Sequence, residues 1–243
     1  MFPLKDTIPS RSFPVVNWLL IVANFAVFVL VELPLGPRQL DRLVTDFGVV
    51  PAQCALPALS GGAARGLLLD CGIPLFTSMF LHGGWLHLVS NLWALYIFGD
   101  NIEDRLGSGR YVVFYLVSGV VAGLTQAWIN PASRIPAIGA SGAIAGVLGA
   151  YLILFPASRV ITLVPLFFLP WFIEIPAVLY LGIWFATQFF SGVLSFDATQ
   201  AGGVAYWAHI GGFACGLVLI LLFARPARRQ RAYRRYADEY LPW

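Results

Sequence analysis

Charge is what this sequence has least of. Fifteen Lys and Arg and twelve Asp and Glu stand among 243 residues, so 11% are charged while 59% are hydrophobic. The mean hydropathy is +0.78. Soluble domains carry about 25% charged residues, and a chain this apolar lacks the polar surface to cover a globule in water. Its solvent is lipid. Histidine is equally scarce, with three in all, and no carboxylate or thiol joins them at ligand spacing. A metal site is therefore not expected, and neither is any other cofactor. Paired acidic residues and an inverted repeat are also missing, which argues against a small transporter. The net charge of +3 lies largely in six arginines between Arg225 and Arg235. That reads as a stop-transfer and membrane-surface tail, and excludes nucleic acid as a partner. The first apolar run has no small-residue cleavage site behind it, so it reads as a retained span.

What is present is a series of apolar runs long enough to cross a bilayer, about 20 residues each. They are Val15–Leu33, Phe80–Phe98, Tyr111–Ile129, Ala137–Phe155, Trp171–Phe190 and Val204–Ala224. Pro34, Gly107, Pro131, Pro156 and the pair Gly202 and Gly203 punctuate them. The stretch Val160–Pro170 is apolar but broken by Pro165 and Pro170, and reads as a re-entrant or interfacial approach to the fifth span. The fold class expected is an all-α polytopic membrane protein, a six-helix bundle. Three parts follow: an N-terminal segment over 1–14, a membrane domain over 15–224 with an outer loop over 34–78, and a basic tail over 225–243.

Orientation comes from Lys and Arg. With the N-terminus inside, the cytoplasmic segments hold Lys5, Arg11, Arg105, Arg110, Arg159 and the six tail arginines. The outer ones hold Arg38, Arg42, Arg65 and Arg134. Both termini are then cytoplasmic, with Trp85, Trp128 and Trp207 near the outer interface and Trp18 and Trp171 near the inner one. A bacterial inner membrane is the expected location. The outer loop carries Cys54 and Cys71, which either bridge, worth about 3 kcal/mol by the chain-entropy model, or stay as thiols. Cys215 reads as a packing residue.

Ionisable side chains in hydrocarbon are costly and functional by default. His82, His87 and His209 all lie at or near the outer ends of spans. In this topology the second, fourth and sixth spans enter from the outer face. His87, Ser141 and His209 then fall within one or two turns of one level, roughly 10 Å deep. Gly142 and Gly146 in the fourth span, and Gly212 and Gly216 in the sixth, form small-residue faces that let helices approach closely. If those faces pack together, Ser141 and His209 reach hydrogen-bond distance, as an activated hydroxyl nucleophile needs. Ser141 opens its helix, where the Ala140 and Ser141 backbone N–H groups have no intrahelical acceptor and suit a developing oxyanion. His87 and Asn91, at i and i+4, share one face and add donors. His82 is given a supporting or rim role. No acid offers itself as a third triad member: Glu174 is at the wrong end of the fifth span. The chemistry would be a Ser–His dyad.

These stretches resemble the rhomboid family of intramembrane serine proteases: HGGWLHLVSN, DNIEDRLGSGRY, the GASG around Ser141 and AHIGGFACG around His209. The resemblance covers about residues 74 to 220. It implies Ser141 as nucleophile, His209 as general base, His87 and Asn91 as the oxyanion pair, and Gly139 as the start of the serine motif. It further implies an outer water-filled cavity, with the fifth span and the Gly202–Gly203 loop as gate and lid. The substrates implied are single-span membrane proteins. Two positions depart from the family pattern. Ile73 and Pro74 stand before the second span in place of a loop Trp-Arg pair, and Ala145 replaces an aromatic that stacks on the histidine. The competing reading, a non-catalytic relative that binds membrane clients, does not need both Ser141 and His209. Nothing in the sequence specifies an oligomeric state.

Overall fold

The computed structural model describes residues 2–54, 68–166, 169–195 and 204–223. The basic tail 225–243, Gly202 and Gly203, Pro57 and Arg65 lie outside the described residues. The chain begins with strand β1 (Phe2–Asp6). Helix α1 (Val15–Val27) continues through a π-helical turn to Glu32, and the short amphipathic α2 (Pro37–Phe47) follows. Further along, α3 (Ile73–Thr77) leads into α4 (Trp85–Ala94). A second π-helical turn, Leu95–Gly99, joins α4 to α5 (Asp100–Leu106). Then come α6 (Ser108–Ile129), α7 (Ser141–Leu154), β2 (Arg159–Leu166), β3 (Leu169–Pro176), α8 (Ala177–Leu194) and α9 (Tyr206–Phe223).

The fold is mostly helical but not all-α. β1, β2 and β3 form an antiparallel sheet in that order, with Asp6 opposite Val160 and Val160 opposite Ile175. This corrects two expectations. The stretch Val160–Pro170 is not re-entrant, and the fifth helix starts at Ala177 rather than Trp171. The physical reason is composition: Val160, Ile161, Thr162 and Val164 are β-branched, and Trp171, Phe172 and Ile173 suit a pleated surface. Burial alternates as a strand requires, with Val160 and Thr162 fully buried between exposed Arg159 and half-buried Ile161. Glu174 is a strand residue, and its carboxylate pairs with Arg159 at 3.5 Å on the surface.

Among the described residues, four helices are long and apolar enough to cross a membrane: Val15–Glu32, Ser108–Ile129, Ala177–Leu194 and Tyr206–Phe223. The run from Trp85 to Leu106 falls below that hydropathy because it carries His87, Asn91, Asp100 and Glu103. Its π-helical turn is put to use: Asn17 Nδ2 donates to the Leu95 carbonyl at 2.9 Å, and Tyr111 Oη donates to Asn17 Oδ1 at 2.8 Å. Gly99 is needed there, because a Cβ would strike the Asn17 amide and the Tyr111 hydroxyl. Glu103 accepts the Val16 and Asn17 N–H groups at 3.1 and 2.8 Å, satisfying orphan donors at the start of α1.

Helix α7 is the centre of the bundle. Gly142 through Tyr151 are all buried, the mark of a helix apolar on every side. At 14 residues it is about 21 Å long, against about 30 Å of hydrocarbon. Its neighbours close in because glycines remove the spacing side chains would impose. A Cβ on Gly212 would collide with the Gly142 carbonyl, and one on Gly216 with the Gly146 carbonyl. On the other flank, a Cβ on Gly142 would meet Ala122 of α6 at 2.6 Å. Cys54 and Cys71 are bridged, with Cα atoms 4.9 Å apart.

Candidate functional site

The glycine contacts between α7 and α9 fix the heights of the side chains at their ends. Ser141 is the first residue of α7 and His209 lies in the first turns of α9. Across the seam, Ser141 Oγ and His209 Nε2 are 2.7 Å apart. The histidine is 8% exposed, while the serine is half-buried.

The second ring nitrogen of His209 is engaged as well. Nδ1 lies 2.7 Å from Gln188 Oε1 on α8. A side-chain carbonyl oxygen only accepts, so Nδ1 carries the proton and Nε2 turns its lone pair to the Ser141 hydroxyl. The amide orientation is consistent: Gln188 Nε2 donates to Thr187 Oγ1 at 3.3 Å, whose own proton goes to the Trp184 carbonyl at 2.6 Å. One turn before Gln188, the Trp184 ring packs on His209 with centroids 5.9 Å apart. The aromatic that Ala145 does not supply therefore comes from α8.

The loop before Ser141 is held from outside. Val49 and Ala137 exchange backbone hydrogen bonds at 3.0 and 2.8 Å, and Gly139 N–H donates to the Ser78 carbonyl at 2.8 Å. Gly139 has φ +117°, in the region that favours glycine. Space demands glycine too: a Cβ there would lie 2.6 Å from His87 Nε2 and 3.6 Å from Ser141 Oγ. The His87 imidazole and the serine hydroxyl thus flank one small space. His87 Nδ1 accepts the Gly83 N–H at 3.3 Å, which leaves Nε2 as the protonated nitrogen, facing that space. Asn91, one turn on, is 5% exposed, and its Nδ2 has no hydrogen-bond partner among the described residues.

His82, expected in a supporting or rim role, is buried beside His87. It is 2% exposed, its ring edge-on to His87 with centroids 5.1 Å apart. Its backbone N–H donates to both oxygens of Glu32 at 3.1 and 3.0 Å. Gly142 and Gly212 are helix-packing contacts, as described above. Three participants escaped the sequence reading: Glu32, Trp184 and Gln188. Glu32 had a signal, an acid at the end of an apolar run. Gln188 and Trp184 had none beyond lying four apart on one helix.

Comparison with known proteins gives these residues a context. The family described as "Rhomboid domain" matches residues 72–226. Rhomboid protein 1, mitochondrial, of Saccharomyces cerevisiae is 30% identical over 173 residues, 68% of this chain and 46% of that protein. Rhomboid protease GluP of Bacillus subtilis is 31% identical over 148 residues, 60% of this chain and 26% of that protein. RHOMBOID-like protein 4 of Arabidopsis thaliana is 30% identical over 231 residues, 86% of this chain and 53% of that protein. The chain thus matches between about a quarter and a half of the length of these relatives.

Proposed function

From the premise that the chain belongs to the rhomboid family, we propose that it is an intramembrane serine endopeptidase that cleaves transmembrane-helix substrates. The observation that carries this reading is the 2.7 Å contact between Ser141 Oγ and His209 Nε2. Nothing in helix packing requires a serine and a histidine to meet there. His209 takes the Ser141 proton as Oγ attacks the scissile carbonyl. The carbonyl oxygen, now negative, is met by the Ala140 and Ser141 N–H groups, the His87 Nε2–H and the Asn91 amide, all fixed before the substrate arrives. His209 then gives its proton to the leaving amine, an acyl-enzyme remains on Ser141, and water activated by the same histidine releases it. The half-buried Ser141 and the 8% exposed His209 support chemistry shielded from bulk water. Substrate helices that unwind readily are favoured, because an intact helix occupies its own carbonyls.

In this reading Trp85–Leu106 and the short α7 join the four longer helices to make six crossings. Both termini are then cytoplasmic and the site faces the outer side, as the arginine distribution predicts. The test is labelling of the detergent-purified chain by a fluorophosphonate, alongside Ser141→Ala and His209→Ala. The parent labels and both variants lose at least about 10³-fold in rate. A folded parent that does not label, or equal labelling of Ser141→Ala, refutes the mechanism and leaves client binding as the better reading.

A further inference from the structure

We propose that Gln188 is the positioning residue of the dyad, standing where a carboxylate would complete a triad and holding His209 in the base-competent tautomer. This deepens the protease reading and rests on it. An imidazole has two tautomers of similar energy, and only the one protonated on Nδ1 leaves Nε2 free to accept from Ser141. Gln188 Oε1 at 2.7 Å selects that form. The amide is held in turn: its nitrogen donates to Thr187, whose own proton is committed to the Trp184 carbonyl, so an oxygen in the nitrogen's place would find no donor there unless that bond were given up. Trp184 on the same helical face limits rotation of the ring.

A neutral amide has a consequence that an acid would not. It orients the imidazole but adds no full charge to stabilise the imidazolium formed during attack. Its removal therefore costs less than the about 10⁴-fold associated with disturbing a triad carboxylate. Both supports of His209 also come from one helix. Only 17% of α8 is buried, and its outer face exposes Ile183, Phe190 and Leu194. The seating of α8 against α9 thereby sets the geometry of the base.

The experiment compares the parent with Gln188→Met, which keeps shape but lacks the acceptor, and Gln188→Glu, which keeps the acceptor. Fluorophosphonate labelling rates are measured on the full chain. In parallel, ¹⁵N spectra of the histidines, with the His209 signals identified from His209→Ala, report the tautomer. The expected results are an Nδ1-protonated His209 in the parent and a mixed tautomer in Gln188→Met. Labelling slows about 10- to 100-fold in Gln188→Met, and Gln188→Glu, which keeps the acceptor and adds the charge, labels at least as fast as the parent. A parent protonated on Nε2 overturns the proposal before any variant is made. So does Gln188→Met with an unchanged tautomer, whatever its rate. If the parent fails to label, the protease reading fails, while the tautomer comparison still decides the role of Gln188.

Discussion

A single methyl group placed between α7 and α9 tests whether their close approach sets the distance between Ser141 and His209. Gly212 lies three residues after His209, and its missing side chain is where the Gly142 carbonyl sits. In Gly212→Ala the new carbon overlaps that oxygen, and both are backbone or bonded to backbone, so no side chain can swing aside. Restoring ordinary contact, about 3.5 Å, from the 2.0 Å separation moves the helices apart by about 1.5 Å at that level. The 2.7 Å contact then leaves hydrogen-bond range, and a misplacement of about 1 Å costs about 10²-fold in rate. Overpacking itself costs about 1–3 kcal/mol. Gly216→Ala makes the same collision with the Gly146 carbonyl, one turn further from the site. It is expected to lose similar stability but less activity. The assay is fluorophosphonate labelling with thermal unfolding in the same detergent. Gly182→Ala serves as control, since nothing lies within 4 Å of the added carbon. If Gly212→Ala labels at the parental rate, or Gly216→Ala loses as much labelling, the glycine seam does not set the dyad.

Two further outcomes concern parts away from the dyad. Replacing Cys54 and Cys71 together by Ser is expected to lower stability by about 3 kcal/mol, seen as a lower melting temperature that reductant reproduces in the parent alone. Melting of the parent is also expected to depend on pH through Asp6, whose carboxyl accepts from Tyr151 Oη at 2.5 Å and Asn101 Nδ2 at 2.8 Å. Burial, with the neighbouring Asp100 adding to it, raises its pKa from 3.8 to about 7. A carboxyl with a raised folded-state pKa contributes stability that is fully present below pH 3.8 and lost as pH rises through about 7. At about 1.4 kcal/mol per unit the limit is about 4 kcal/mol, and partial exposure to water brings it to about 2. The melting temperature of the parent therefore falls between pH 4 and 8, and Asp6→Asn flattens that slope; a parallel slope in Asp6→Asn removes the assignment.

Legibility in the sequence followed the physics of each segment. The runs at Val15–Glu32, Ser108–Ile129 and Tyr206–Phe223 announce themselves because hydropathy alone identifies a helix that lipid must solvate. Hydropathy fails at Val160–Pro176, where strand and span are equally apolar and composition cannot tell them apart. The β-branched content of β2 and the prolines Pro165 and Pro170 were the available signals. Pairing with β1 was beyond them, because it joins Phe2–Asp6 to Arg159–Leu166 across most of the bundle. The N-terminal segment looks polar and loose, yet Asp6 and the Trp93 indole donating to the Pro3 carbonyl at 2.6 Å fasten it to the helices.

At the site, residues that belong to rigid periodic features were readable and those that act through tertiary contact were not. Glycines four apart state which helix faces approach closely, and Ser141 and His209 beside them inherit a common level. His87 and Asn91 were visible as polar residues on one helical face. Gln188 and Trp184 sit in a helix half of whose residues are exposed, where a polar amide reads as an interfacial residue. Their role depends on how α8 is rotated against α9, which the sequence period does not specify. For the same reason the sequence does not show that the acceptor at His209 Nδ1 is an amide and not an acid. An imidazole needs an acceptor at Nδ1, and in a site already low in charge an amide meets that need without the desolvation cost of burying a second ion.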